Sequence, residues 1–149
     1  MEASEIIRGF CEKLDIAALP EDGVWSFEFD SMPVTMFALE QIRAIAVQGD
    51  LGEPPPERLE QLYKLMLEGQ HLFKNTGGAT LSLDPLHGHF FLTLALPEAL
   101  VDVDSFTASV EHFISTLEAW RKIIVNFRAS SHRSENEDVP LFGSDVLRV

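Results

Sequence analysis

The sequence is poor in the residues that cross-link chains and in the long apolar runs that cross membranes. Its 149 residues include a single cysteine, Cys11, so the chain can form no internal disulfide bond. Cys11 lies in an apolar-periodic stretch without a local histidine or other base, which favours a packed thiol over a catalytic one. No apolar run approaches the roughly 18 residues that span a bilayer, and the N-terminus lacks the profile of a signal peptide. These absences indicate a cytoplasmic protein.

Basic residues are also scarce, since Lys and Arg number 11 against 24 Asp and Glu, which gives a net charge of −13. Such a field repels phosphate backbones and anionic lipid headgroups, which argues against nucleic-acid and membrane partners. Hydrophobic residues make up 46% of the chain, enough to build a core, and the length suits one domain. An acidic surface keeps a protein soluble even when it displays apolar patches, as a protein that handles aggregation-prone partners must.

Sequence signatures of catalysis, nucleotide binding and metal binding are missing. Gly77-Gly78 precede a predicted strand and follow Lys74, whereas a phosphate-binding loop leads into a helix and has its lysine after the glycines. His87 and His89 have a spacing that can suit a metal ion, but no further ligand completes a site, which favours a solvated hairpin tip. No serine, threonine or carboxylate pair shows the setting of a catalytic group. We therefore predict no catalytic residue, no cofactor and no metal ion.

The first half of the chain predicts one helix and three strands. Apolar residues repeat at helical spacing over residues 3–16, which predicts an amphipathic helix. Residues 24–30 alternate between apolar and polar, which predicts a half-buried strand with three aromatic side chains on its apolar face. Two further strand-like runs fill residues 34–48, with a turn near Glu40-Gln41, so we expect a three-stranded meander.

The second half predicts two helices and two strands. These elements are a helix that begins near Pro55 or Pro56 and ends at about Gly69, strands over residues 79–84 and 89–96, and a helix from Asp104 or Ser105 to Arg128. The order α-β-β-β-α-β-β-α predicts an α+β sandwich over residues 1–128, with helices packed on a twisted, mostly antiparallel sheet. Residues 129–149 are mainly polar and are predicted to form a flexible tail.

The aromatic row Trp25, Phe27 and Phe29 has two interpretations. The first is ordinary core packing beneath a helix, which the alternating pattern favours. The second is that part of this sheet, together with the first helix, receives an extended partner chain. An exposed edge strand offers unpaired backbone groups for strand addition, and apolar pockets hold alternate side chains. Both interpretations stay open at this point.

The order of segments, the size, the acidity and particular stretches of sequence resemble one family. These stretches are CEKLDIAALPEDGVWSFEFD, NTGGATLSLDPLHGHFFLTLALP and FISTLEAWRKII, with the GGATLSLD run carrying most of the specificity. Together they resemble type III secretion chaperones of the Tir-chaperone (CesT-like) group, over about residues 4–127. No motif in these stretches is catalytic, so the resemblance implies a protein-binding role without enzymatic activity.

The resemblance implies a bacterial, cytoplasmic homodimer with a role in virulence and protein transport. Such a chaperone binds the N-terminal segment of a secreted effector in extended, non-folded form and delivers it to the export apparatus, where an export ATPase would release it. The effector-binding candidates in the first helix and first three strands are Ile6, Phe10, Trp25, Phe27, Phe29, Val34, Met36 and Ile45. The dimer-interface candidates in the second helix and the late strand are Leu62, Tyr63, Leu65, Met66, Phe91 and Thr93.

Two other functions remain open for an α+β domain of this kind. One is an adaptor or regulatory protein of the same fold that sequesters a regulator in place of an effector. The other is a small-molecule-binding or enzymatic domain, for which a cleft with converging polar groups is expected. A dimer with shallow apolar grooves would instead favour the chaperone.

Overall fold

The computed structural model describes residues 1–130, which form helices and strands in the order predicted from the sequence. The elements are α1 (Ala3–Lys13), β1 (Val24–Phe29), β2 (Met32–Leu39), β3 (Ala44–Gly52), α2 (Leu59–Gln70), β4 (Thr80–Leu83), β5 (Phe90–Pro97) and α3 (Val103–Ser130). Short 3₁₀ turns follow β2, α2 and β5. The α+β class is thereby confirmed. The tail predicted for residues 129–149 lies outside the described residues, except that Ala129 and Ser130 complete α3.

Local hydrogen bonds define both ends of α1. The backbone N–H of Glu2 donates to the carboxylate of Glu5 at 3.0 Å, as part of a capping box. The sequence predicts a helix as far as residue 16, but the helix ends at Lys13. Asp15 adopts the left-handed conformation (φ 53°), and the N–H of Ile16 turns back to donate to a carbonyl of the last helical turn at 2.8 Å. The chain therefore leaves α1 three residues earlier than its apolar pattern indicates.

The second helix also starts later than predicted. It begins at Leu59, because Arg58 has a left-handed backbone (φ 60°) that the helix cannot include. Pro55 and Pro56, predicted for the first turn, lie instead in the loop before it. None of the helices within residues 1–130 has both the length and the apolar composition that crossing a membrane requires.

The five strands form one sheet in the order β1-β2-β3-β5-β4, with every pairing antiparallel. One row across this sheet, paired in register, consists of Phe27, Val34, Gly49, Leu92 and Leu81. Phe27 contacts α1 and Gly49 contacts α3, so the row lies on the face that the helices cover. Position 49 requires glycine, because a β-carbon there would lie 2.5 Å from the side chain of Leu117 in α3.

Aromatic side chains anchor the core between this face and the helices. Phe10 of α1 meets Phe27 of β1 and Phe106 of α3 edge to face, with ring centroids 5.9 and 5.6 Å apart. Trp120 of α3 is fully buried toward α2, and its indole N–H donates to the carbonyl of Asn75 at 2.9 Å. The core thus has one aromatic anchor beside α1 and β1 and another beside α2, and these two regions carry the surfaces described next.

Candidate partner-binding surfaces

The edge of the sheet at β1 is paired with the preceding chain at a single point. Glu21 and Val24 exchange two backbone hydrogen bonds of 3.0 Å across a tight turn at Asp22-Gly23. The backbone N–H and C=O groups of alternate residues point to the same side of a strand. Since those of Val24 point to the outer side, toward Glu21, those of Ser26 and Glu28 point there as well. No other segment within residues 1–130 pairs with this side of β1. We call this region the open edge of β1.

A groove runs between the open edge of β1 and the segment that leads out of α1. Its apolar lining consists of Ile16, Ala17, Ala18, Leu19, Val24, Phe27 and Phe29, and its polar lining consists of Glu21, Ser26 and Glu28. The Leu19 side chain is 88% exposed, whereas Phe27 and Phe29 stack on each other with centroids 5.6 Å apart. Apolar groups and unpaired backbone groups therefore lie side by side, as an extended peptide requires.

The residues predicted to bind an effector lie mostly in the core of the single chain. Seven of them are buried, namely Ile6, Phe10, Trp25, Phe27, Val34, Met36 and Ile45, and Phe29 is half-buried. Core packing, the first interpretation of the aromatic row, therefore holds for Trp25. Phe27 and Phe29 also line the groove, where a guest chain can reach them. Direct binding by this set stays a prediction.

Leu19 is a further candidate contact that the sequence pattern does not reveal, since it is exposed and lines the groove. Leu19 stands alone in a loop before Pro20, outside any periodic segment, so hydrophobic periodicity offers no signal for it.

A second surface lies at α2 and the β4–β5 hairpin. It exposes the large apolar residues Tyr63, Leu67, Leu72, Phe73, Leu83 and Leu86, which we call the leucine surface. Tyr63 and Leu83 both neighbour Phe90 there. The ring centroids of Tyr63 and Phe90 are 6.0 Å apart, and Leu83 pairs with Phe90 across the hairpin. Leu67 and Leu72 are 72% and 83% exposed. Because α2 lies beside β4, these exposed apolar side chains are on neighbouring elements, which favours a protein–protein interface.

The residues predicted for the dimer interface occupy three different settings. Leu62 and Met66 are buried in the chain's own core, Leu65 is half-buried against it, and Tyr63 belongs to the leucine surface. Phe91 and Thr93 are half-buried on the sheet face opposite the helices. There, Thr93 accepts a hydrogen bond from Gln48 at 3.4 Å, and the Phe91 ring stacks on His89. Their part in dimer formation stays a prediction.

The histidines at the hairpin tip have carboxylate partners. His87 Nδ1 lies 2.6 Å from an Asp84 carboxylate oxygen, and His89 Nδ1 lies 3.0 Å from a carboxylate oxygen of Asp50. The hydrogen bond with His87, aided by the backbone N–H of Leu86, lowers the pKa of the Asp84 carboxyl. Residues 1–130 contain no group of three or more His, Cys, Asp or Glu side chains arranged to hold a metal ion. Burial raises the pKa of the Cys11 thiol, so it is a poor nucleophile at neutral pH.

Together, the open edge, the groove and the leucine surface define a small α+β domain built to bind other polypeptides. Residues 5–121 match the model of the Tir chaperone protein (CesT) family. The chain belongs to this family, which confirms the resemblance seen in the sequence and the function of an effector-binding secretion chaperone. Membership implies a non-enzymatic role. No protein with a curated description matches the sequence.

Solved structures of low sequence identity share the fold. The chain is similar to one in the HopA1–SchA chaperone–effector complex, with a TM-score of 0.66, 16% identity and coverage of 79% of this chain and 91% of that one. It is similar to a chain of the ExsC–ExsE complex, with a TM-score of 0.65, 16% identity and coverage of 83% and 97%. For the heterodimeric ExoU–SpcU complex of the Pseudomonas aeruginosa type III secretion system, the TM-score is 0.61, identity 15%, and coverage 80% and 93%.

Proposed function

We propose that this chaperone works as a homodimer and holds the N-terminal segment of a secreted effector in extended form along the open edge of β1. The observation that carries the proposal is this edge itself, which is paired only at Glu21–Val24 among the described residues and borders an apolar groove. The solved complexes that share the fold, one of them named as a chaperone–effector complex, support a protein guest. The export apparatus, with its ATPase, would then receive the guest.

Strand addition explains how binding can keep the guest unfolded without an energy source. A guest strand beside β1 would accept and donate hydrogen bonds at Ser26 and Glu28, which face the outer side. Its alternate side chains would enter the groove and contact Leu19, Phe27 and Phe29. Backbone hydrogen bonds and apolar burial together offset the conformational entropy that the guest loses on ordering.

The leucine surface supports the homodimer. Leu67 and Leu72 have large side chains that are mostly exposed in the single chain, and burying such groups against a second copy removes their apolar area from water. A symmetric dimer places the same patch of both subunits in contact, so one self-complementary surface is sufficient. The open edge of β1 lies at the other end of the strand order from β4, so dimerisation through the leucine surface leaves it free for a guest.

Co-expression of the full chain with the open reading frames that flank its gene tests the proposal. We expect one partner to co-purify and its N-terminal segment to be protected against limited proteolysis as an extended, non-globular stretch. Amide hydrogen exchange then locates the guest. The amides of Ser26 and Glu28 should become protected on binding, whereas those of Trp25 and Phe27, already bonded to β2, should change little.

Two results would contradict the proposal. One is a partner bound as a folded domain, with no protection of the amides at the open edge. The other is a stable monomer that converts a metabolite, which would revive the enzymatic alternative.

A further inference from the structure

Negative charge is dense in the first 30 residues, the segment that includes the open edge of β1. Residues 1–30 carry eight carboxylate side chains and two basic ones, while residues 31–130 carry twelve and seven. One of the two bases, Lys13, is held by Asp104 of α3 at 2.6 Å. The first 30 residues therefore contribute as much negative charge as the following 100, and they form α1, the groove wall and β1.

Two of these carboxylates, Glu21 and Glu28, line the groove, and Asp22 and Asp30 follow them directly in the turns at the two ends of β1. All four are exposed, and none forms an ion pair with a basic side chain of residues 1–130. Elsewhere in the described chain, carboxylates such as Glu68, Glu98 and Glu118 do have a Lys or Arg within 4.0 Å. The groove thus combines an apolar floor with a rim of uncompensated negative charge.

The geometry of a strand fixes which part of a guest would meet each of these groups. Side chains alternate between the two faces of a sheet, so every second residue of an added strand would lie beside Phe27 and Phe29, on the helix-covered face. The residues between them would lie on the opposite face, next to Ser26 and Glu28. Neighbouring side chains of adjacent strands come within about 5.5 Å, where opposite charges attract and like charges repel.

We propose that the open edge of β1 selects a guest strand in which apolar residues alternate with lysine or arginine. This inference rests on the proposed function and specifies the chemistry of the guest. It also excludes a second copy of this chain as the occupant of the edge. Pairing two β1 edges would place the Glu28 and Asp30 carboxylates of one copy near those of the other, which is a common protection of edge strands.

Three synthetic nine-residue peptides test the selection. All three carry valine at alternate positions, and the positions between them hold lysine, glutamine or glutamate. Fluorescence anisotropy with the full-length chaperone at low salt should show the highest affinity for the lysine peptide and the lowest for the glutamate peptide. The lysine peptide should bind about tenfold more tightly than the glutamine peptide. Added NaCl should bring the affinity for the lysine peptide toward that for the glutamine peptide, because exposed charges are screened.

Charge-reversal variants of the chaperone show which carboxylates cause the preference for the lysine peptide. The double variant Glu21→Lys, Glu28→Lys should prefer the glutamate peptide, whereas Glu111→Lys, an exposed change on α3 outside the groove, should keep the preference for lysine. Unfolding midpoints of both variants show whether the fold is retained. Equal binding of all three peptides, or a double variant that still prefers lysine as strongly as Glu111→Lys, overturns the charge selection alone. If no peptide binds and the Ser26 amide gains no protection with a co-purified partner, the proposed function also fails.

Discussion

The two edges of the sheet are covered in part by different groups. At β4, the side-chain amide of Gln70 donates to the carbonyl of Ala79 at 3.2 Å and accepts from the N–H of Leu81 at 2.8 Å. A side chain of the same subunit thus satisfies backbone groups that a neighbouring strand would otherwise take. At β1, pairing stops after Glu21–Val24 and the edge stays open. The two edges therefore differ in what lies beside them, since a side chain of α2 occupies part of the β4 edge whereas an apolar groove borders the β1 edge.

The open edge of β1 and the leucine surface also differ in charge. The open edge of β1 is rimmed by unpaired carboxylates, whereas residues 59–86, which include the leucine surface, carry three carboxylates and two lysines. A nearly neutral apolar surface can meet an identical copy of itself without repulsion, but a strongly acidic one cannot. The comparison therefore favours the proposal that the leucine surface meets a second copy and that the open edge meets a different chain.

The largest expected effect comes from removing the aromatic anchor beside α1. Phe10→Ala should lower the free energy of unfolding by about 3–5 kcal/mol, because the Phe10 ring is fully buried between Phe27 and Phe106. Urea denaturation followed by circular dichroism measures the loss. Phe10→Leu keeps most of the apolar volume and should cost about 1.5 kcal/mol or less. Equal costs for the two variants would show that the site is not a packed anchor.

Placing a charge on each surface separates their roles. Leu67→Asp should weaken self-association by roughly 3 kcal/mol, because each dimer would bury two unpaired carboxylates. Leu19→Asp, an equal change on an exposed leucine beside β1, should leave the dimer intact and weaken guest binding. Sedimentation equilibrium gives the dissociation constants. A dimer broken by Leu19→Asp and unaffected by Leu67→Asp would reverse the assignment of the two regions.

A proline at the open edge tests whether a guest binds through backbone hydrogen bonds to β1 or only through apolar contacts in the groove. Ser26→Pro removes an N–H that points to the outer side, where the fold does not use it, so the protein should still fold. Guest binding should weaken about tenfold or more, because the pairing of one residue is lost and the neighbouring geometry is disturbed. Ser26→Ala keeps the N–H and should bind the co-purified guest normally. If both variants bind alike, the guest does not pair with β1.

Opening the other edge should have a smaller effect. Gln70→Ala removes two hydrogen bonds to the backbone around β4 and should lower the free energy of unfolding by about 1–2 kcal/mol. Gln41→Ala, at an exposed position in the turn after β2, should change it by less than about 0.5 kcal/mol. Thermal or urea unfolding of both variants decides whether Gln70 closes the edge or only lies beside it.

The smallest effect concerns the hairpin tip. The hydrogen bond with His87 holds the pKa of the Asp84 carboxyl below its usual 3.8, so His87→Ala should raise it toward that value. Since the folded pKa is the lower one, the linked stabilisation is complete above the unfolded pKa and is lost as the pH falls through the folded pKa. NMR titration of the carboxyl carbons measures the change. Asp102, whose pKa is lowered by hydrogen bonds from Ser105, should titrate unchanged.

Hydrophobic periodicity, together with the turn and cap residues between the periodic stretches, was sufficient to predict the order and type of all eight helices and strands. The boundaries failed at Asp15 and Arg58, where a left-handed backbone ends α1 early and delays α2. Arg58 is not one of the residues that favour this conformation, which are glycine, asparagine and aspartate, and Asp15 lies within an apolar pattern that favours helix. Backbone turns of this kind depend on contacts that a single sequence does not display.

Periodicity was less informative about the surfaces. It placed Trp25, Phe27 and Phe29 on one face of a strand, but it could not tell which of them a helix covers. Leu62 and Met66, which the family resemblance implied for the dimer interface, lie on the side of α2 that is turned to the core of the single chain. Exposed leucines such as Leu72 lie in irregular segments, so only the folded arrangement shows that they belong to one surface.

The turn at Asp22-Gly23 pairs Glu21 with Val24 and so occupies one end of the open edge, whereas toward Phe29 no strand of residues 1–130 lies beside Ser26 and Glu28. A guest strand seated there would have one blocked terminus and one free terminus. A pull on the free terminus, directed away from the sheet, would break the backbone hydrogen bonds between guest and β1 one at a time, starting near Phe29. Separating these contacts one after another requires less peak force than sliding the whole strand at once, so a pull from the Phe29 end would release a guest most readily.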